Sequence, residues 1–155
     1  MKTLVLGLGN PILTDDGVGV RVAERVEDAV GQRDVTVMEA SLAGLSILDQ
    51  LAGYDRAIIV DAVQTVGGKA GQVYRLSTDM LDTTQHPASL HDFDVGTALE
   101  LGGRLGLALP KEMVIFGVEV ADVETFGEEC TPEVREAIPI CVDMIIEELN
   151  RHQDA

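Results

Sequence analysis

Three short, almost unbroken aliphatic runs constrain this chain more than any other feature. They are "TLVLG" at 3–7, "RAIIVDA" at 56–62 and "EMVIFGVEV" at 112–120. Runs of this length bounded by glycine or polar residues read as buried strands rather than helices. The middle run is apolar enough to be covered on both faces. Segments of helical periodicity lie between the runs. Strands alternating with helices imply an α/β fold built on a mostly parallel sheet.

From Asp15 to Val30, the apolar positions Val18, Val22, Val26 and Ala29 fall at helical spacing, with Thr14 as the expected N-cap. Residues 34–40 read as a second strand and 43–52 as a short helix. Gly67 and Gly68 mark a turn before a strand at 71–77. Ser89 and Asp92 have capping-box spacing, opening a helix that runs to about Gly106. Thr131 and Pro132 open the last helix, because proline suits a first turn. Pro139 interrupts its pattern and predicts a kink or a restart. The expectation is one domain over 1–155, a three-layer α/β sandwich around a twisted, mostly parallel sheet of about five strands, phosphorylase/hydrolase-like. At this length roughly 70% of the unfolded surface can be buried. Aromatics are only 3% of the residues, so the core must be aliphatic.

Charge excludes whole classes of partner. Eleven basic residues stand against 27 acidic ones, for a net charge of −16. Nucleic acids and anionic membrane surfaces are bound by basic residues that displace counterions, so neither is expected here. The N-terminal apolar run is too short for a signal-peptide core, and no stretch has the length of a membrane span. Cys130 and Cys141 have no metal-type spacing. A cytoplasmic monomer with reduced thiols is the expectation.

The stretch "GLGNPILTDDGVGVRV" at 7–22 opens like a phosphate-binding glycine loop. Gly7 and Gly9 fit a dinucleotide fingerprint, but Ile12 stands at the third glycine position, and there is no Walker G-K-[ST]. Asp15 and Asp16 then place carboxylates where the helix N-terminus would hold a phosphate. An acidic turn there suits a cation instead. Ligands of open α/β sheets collect beyond the carboxyl ends of the strands. Asp61 falls at that end of its strand, and His91 falls in the first turn of the helix opening at Ser89. Two carboxylates and a neutral imidazole suit zinc, nickel or another borderline cation better than magnesium or calcium. On residues alone a second reading stays open: Asp16 as a helix-end charge, Asp61 as a loop cap and His91 as a surface residue. Asp15, His86 and His152 read as surface residues, and Asn10 as a turn residue. Gly17 and Gly19 fit either close helix–sheet packing or a backbone that lets a bulky partner approach.

At these residues the sequence resembles the hydrogenase maturation endopeptidases. That family's G-x-G-N-x-L-x-x-D-[DE]-G-x-G block corresponds to "GLGNPILTDDGVG" at 7–19. Its apolar strand ending in D-A corresponds to "IIVDA" at 58–62, its S-x-H to "SLH" at 89–91 and its late helix start to "TPEV" at 131–134. The family's glycine pair after the second strand is absent. Glu39 holds the acidic position, Ala40 and Ser41 replace the glycines, and Gly44 remains.

The resemblance implies a protease that removes the C-terminal extension of a nickel–iron hydrogenase large-subunit precursor after nickel insertion. It implies metal ligation, and the catalytic role, for Asp16, Asp61 and His91. The nickel would arrive with the precursor, and the open site would also take adventitious zinc or cadmium. The metal would be either a docking point or an activator of water, with a carboxylate as general base in either case. A serine or cysteine nucleophile is not expected, since there is no G-x-S-x-G. Two rivals share features with it. A peptidyl-tRNA hydrolase also opens with a turn like "GLGNP", but it needs a histidine in the following segment and a basic surface. A non-enzymatic metal-binding chaperone would use the same ligands without cutting.

Overall fold

The computed structural model describes residues 1–31, 34–40, 46–77 and 102–151. His91 lies outside the described residues, as do Ser41, Gly44, His86, Ser89, Asp92 and His152. Of the helix expected to run to about Gly106, residues 102–104 are described and are helical.

The aliphatic runs form the middle of one five-stranded sheet. Its strands are β1 (Thr3–Leu8), β2 (Val35–Ala40), β3 (Arg56–Val63), β4 (Val73–Ser77) and β5 (Glu112–Glu119), in the order β2-β1-β3-β5-β4. Four strands run parallel, and β4 pairs antiparallel with β5 at one edge. All eight residues of β3 are buried, as its sequence requires of a central strand between helical layers.

Helices α1 (Val18–Val30) and α3 (Pro132–Asn150) cover one face. Val18, Val22 and Val26 meet Ile58, Val60, Val114 and Phe116 there, together with Val134, Ala137, Cys141 and Ile145 of α3. The buried stripe of α1 closes on Val30, and Ala29 is exposed instead. The opposite face is made by Leu4, Leu6, Ile59 and Ile115 against Ile47 and Leu51 of α2 (Ser46–Leu51). Each such side chain contributes about 1.5–3 kcal/mol on burial. No helix among the described residues is long and apolar enough to cross a membrane.

One local expectation is corrected, and one is narrowed. Thr14 does not cap α1. It opens a 3-10 turn, Thr14–Gly17, and Gly17 is the residue before α1. Pro139 neither ends nor restarts α3, which runs through it. Pro139 and Arg135, whose carbonyl loses its partner, are both exposed, so water replaces the missing N–H.

The amino edge of the sheet is closed by charge. Buried Arg56 donates to Thr3 Oγ1 and to the carbonyls of Glu148 and Leu149. Glu148 in turn holds Arg75 through two bonds of 3.1 and 2.8 Å and Arg151 at 3.2 Å. These groups fasten the end of α3 to the sheet. The carboxyl edge carries the loops that follow β1, β3 and β5.

Candidate active site

The loop after β1 is shaped by glycines that cannot be replaced without collision. A Cβ on Gly9 (φ +142°) would strike the Asp16 carbonyl. A Cβ on Gly19 would strike the carbonyl oxygens of Leu8 and Val60, so α1 sits directly on the backbones of β1 and β3. One on Gly17 would come within 2.7 Å of Pro11 Cα. Close packing, not access for a partner, therefore accounts for Gly17 and Gly19.

Asn10 completes the turn in two ways. Its Oδ1 accepts the Ile12 N–H at 3.2 Å, the turn role expected of it. Its backbone N–H donates to Asp16 Oδ2 at 3.0 Å, which orients that carboxylate. Asp16 is half-buried at the rim of the edge.

Its neighbour behaves differently. Asp15 was expected at the surface, and the structure buries it completely, at 0% exposure. Oδ2 accepts the N–H groups of Ala121 at 2.9 Å and Asp122 at 3.0 Å, and Oδ1 accepts the Thr131 N–H at 2.6 Å. The Thr131 hydroxyl lies within 2.8 Å of Oδ2, and the Asp15 N–H donates to the Asp122 carbonyl at 2.9 Å. One carboxylate thus ties the acidic turn to the loop after β5 and to the start of α3. Thr14 sets up the divergence of the two aspartates. It holds a left-handed φ of +52°, which costs a β-branched residue about 1–2 kcal/mol. Bonds to the Gly127 and Thr125 carbonyls hold it there.

Asp61 lies inside β3, two residues before its end, rather than at a loop edge, and is 2% exposed. Its Oδ1 accepts the Ala62 N–H at 2.8 Å. The strand register sets Asp61, Gly117 and Tyr74 in one row across the sheet. The residue beside Asp61 on β5 is therefore glycine. The 3-10 turn bearing Asp16 packs against β3, so both acids belong to the carboxyl edge.

A further buried acid at this edge, Glu119, has a structural role. It accepts the Thr65 N–H at 2.9 Å and lies 3.0 Å from the Tyr74 hydroxyl, which folds the loop after β3 onto β5. Neither cysteine is a nucleophile. Burial, then the Asp15 carboxylate, pushes the Cys130 thiol up, and burial pushes Cys141 up to about 12. Among the described residues no three His, Cys, Asp or Glu side chains gather tightly enough to hold a metal ion. Asp16 and Asp61 supply two hard oxygen donors, and the third residue of the sequence-derived set, His91, lies outside the described residues.

The chain resembles known proteins over most of its length. A model of the hydrogenase maturation protease family matches residues 20–148. The hydrogenase expression/formation protein HupD of Bradyrhizobium diazoefficiens is 31% identical over 92% of this chain and 75% of its own length. The hydrogenase 2 maturation protease of Escherichia coli is 32% identical over 76% of this chain and 73% of its own. In three dimensions the chain is similar to an endopeptidase from Escherichia coli, with TM-score 0.81, 25% identity, and 97% and 93% of the two chains covered. The hydrogenase maturating endopeptidase HybD from Escherichia coli superposes over the whole of both chains, with TM-score 0.75 and 25% identity.

Proposed function

The chain belongs to the hydrogenase maturation protease family, a family of hydrolytic enzymes, and on that premise we propose that it removes the C-terminal extension of a nickel–iron hydrogenase large-subunit precursor once nickel is in place. Asp16, Asp61 and His91 engage the precursor's nickel and fix the scissile bond beside the carboxyl edge. The observation that carries this reading is the placement of Asp16 and Asp61. Both stand at the carboxyl edge of the sheet, where the loops after β1, β3 and β5 meet, and Asp16 is already oriented by the Asn10 N–H.

The chemistry follows from burial and position. Holding a bond beside a fixed acid converts an encounter into a local step. A carboxylate in that place accepts the proton of the attacking water, and the departing amine takes a proton back. Asp61, buried beside Gly117, has the surroundings suited to the base, and half-buried Asp16 is the group placed to meet the precursor first. The nickel is substrate, not a resident cofactor. The purified protein should therefore hold no stoichiometric nickel, although zinc or cadmium from a buffer can occupy the same donors. Two buried free thiols support a reducing, cytoplasmic setting.

Incubation with nickel-loaded precursor tests the reading. Release of one short C-terminal peptide is expected, with no cutting of nickel-free precursor or of a free peptide spanning the bond. Efficient cutting of the nickel-free precursor would overturn the nickel-recognition part.

A further inference from the structure

The loops at the carboxyl edge are tightly built, yet two of them present large apolar side chains to water. Phe126 is 79% exposed and Ile12 is 50% exposed. Their loops are bonded to each other. The Gly127 N–H donates to the Ile12 carbonyl at 2.8 Å, the Thr14 N–H donates to the Gly127 carbonyl at 3.0 Å, and Leu13 and Gly127 form a parallel bridge. Ile12 and Phe126 each immediately precede a residue of the bridged pair, so the bonded loops bring both exposed side chains to the same part of this edge. Asp122 stiffens the Phe126 loop from within, its Oδ1 accepting the N–H groups of Glu124 and Thr125 at 3.0 Å. An exposed aromatic on a mobile loop means little. Here the backbone on either side of Phe126 is already fixed, so binding has mainly the side chain left to order.

The charges on the Phe126 loop itself are negative. Glu124 and Glu128 flank Phe126 and are exposed. The two nearby arginines are each offset by a glutamate, Arg21 by Glu24 at 3.5 Å and Arg135 by Glu129 at 3.2 Å. Arg21 donates to the carbonyls of Pro11 and Glu128, and Arg135 to Glu129 and to the Cys130 carbonyl. The whole chain, at −16, adds attraction for a basic surface.

We propose that Ile12 and Phe126 form a preorganised apolar lip that docks a segment of the precursor in which an apolar side chain is flanked by lysine or arginine. The assignment rests on the processing reading above, because the lip is built from the same turn that carries Asp16. It gives the protein a grip on its substrate that does not depend on nickel.

The test measures binding of nickel-free precursor to the full-length protein, so that metal anchoring plays no part. Phe126→Ser should weaken binding about tenfold, as for an aromatic interface anchor, with an unchanged Tm because the side chain is exposed. Phe126→Leu should restore most of it. Added salt should weaken the wild-type complex, and Glu124→Gln with Glu128→Gln should flatten that dependence. With nickel-loaded precursor, Phe126→Ser should raise KM by a similar factor and leave kcat unchanged. Equal binding by Phe126→Ser and wild type overturns the lip, and so does wild-type protein that binds no precursor. Wild type that binds, loses binding through Phe126→Ser, and never cuts the nickel-loaded precursor supports the lip and overturns the processing reading.

Discussion

Asp15 and Asp16 are the same residue type, one bond apart, and the structure assigns them opposite work. Asp15 is enclosed and takes hydrogen bonds from Ala121, Asp122 and Thr131. Asp16 stays half-buried at the rim, and the Asn10 N–H aligns it. The difference comes from Thr14. Its left-handed backbone turns the chain into a 3-10 turn, so successive side chains leave in different directions. A fully buried carboxylate with several N–H donors is a structural joint, whereas a half-buried one at the rim can be reached by a ligand. An acidic pair in a sequence motif is thus two devices, one holding the turn and one using it.

That contrast breaks most visibly at Asp16. Asp16→Ala should cut processing by at least about a thousandfold, or ~4 kcal/mol of barrier, with Tm within a degree or two of wild type in a calorimetric scan. Asp15→Ala should show the reverse emphasis. It leaves buried N–H donors without an acceptor, at about 1–3 kcal/mol for each orphaned group. A net loss of about 3 kcal/mol lowers Tm by roughly 10 °C in a domain of this size. Asp61 sharpens the comparison by combining the two roles. Asp61→Asn can still accept the Ala62 N–H, so stability should fall by no more than about 1 kcal/mol while single-turnover cleavage is lost. Asp61→Leu should lose both.

The smallest effect is in pH. Hydrogen bonds from Thr125, then from Glu124, hold the half-buried Asp122 carboxyl below its ordinary value. A depressed folded-state value stabilises the loop above the unfolded-state pKa, and that contribution is lost as pH falls through the folded-state value. Amide exchange at Glu124 and Thr125 should therefore quicken below the usual carboxylate range, before the rest of the sheet responds. Asp122→Asn should remove that acid-side change.

Much of this frame was legible in the residues. The runs at 3–7, 56–62 and 112–120 became β1, β3 and β5 because unbroken aliphatic sequence has few other uses in a domain this size. The carboxyl-edge position of Asp16 and Asp61 followed from where those runs stop. The burial of Asp15 was not legible. Its partners lie 106 to 116 residues away and donate mostly through the backbone, which carries no residue-type signal. Thr14 misled for a related reason. A threonine before a helical pattern reads as a cap, and only the Thr125 and Gly127 carbonyls, supplied by a distant loop, reveal its other use. Pro139 reads as a helix breaker, but its place on the exposed side of α3 lets water take the orphaned carbonyl. Local pattern predicts elements well and the partners of polar groups poorly, because those partners are set by tertiary contact.

The division between the two aspartates can be tested with temperature as the lever. Asp15→Ala and Asp16→Ala are assayed for single-turnover cleavage of nickel-loaded precursor at 10 °C, where both remain folded by near-native circular dichroism, and again at 37 °C. Asp15→Ala should cut within about tenfold of wild type in the cold and fail as it melts, whereas Asp16→Ala should be inactive at both temperatures. A folded Asp15→Ala that is inactive in the cold, beside an Asp16→Ala that cuts, would contradict the account and move the functional carboxylate one residue toward the N-terminus.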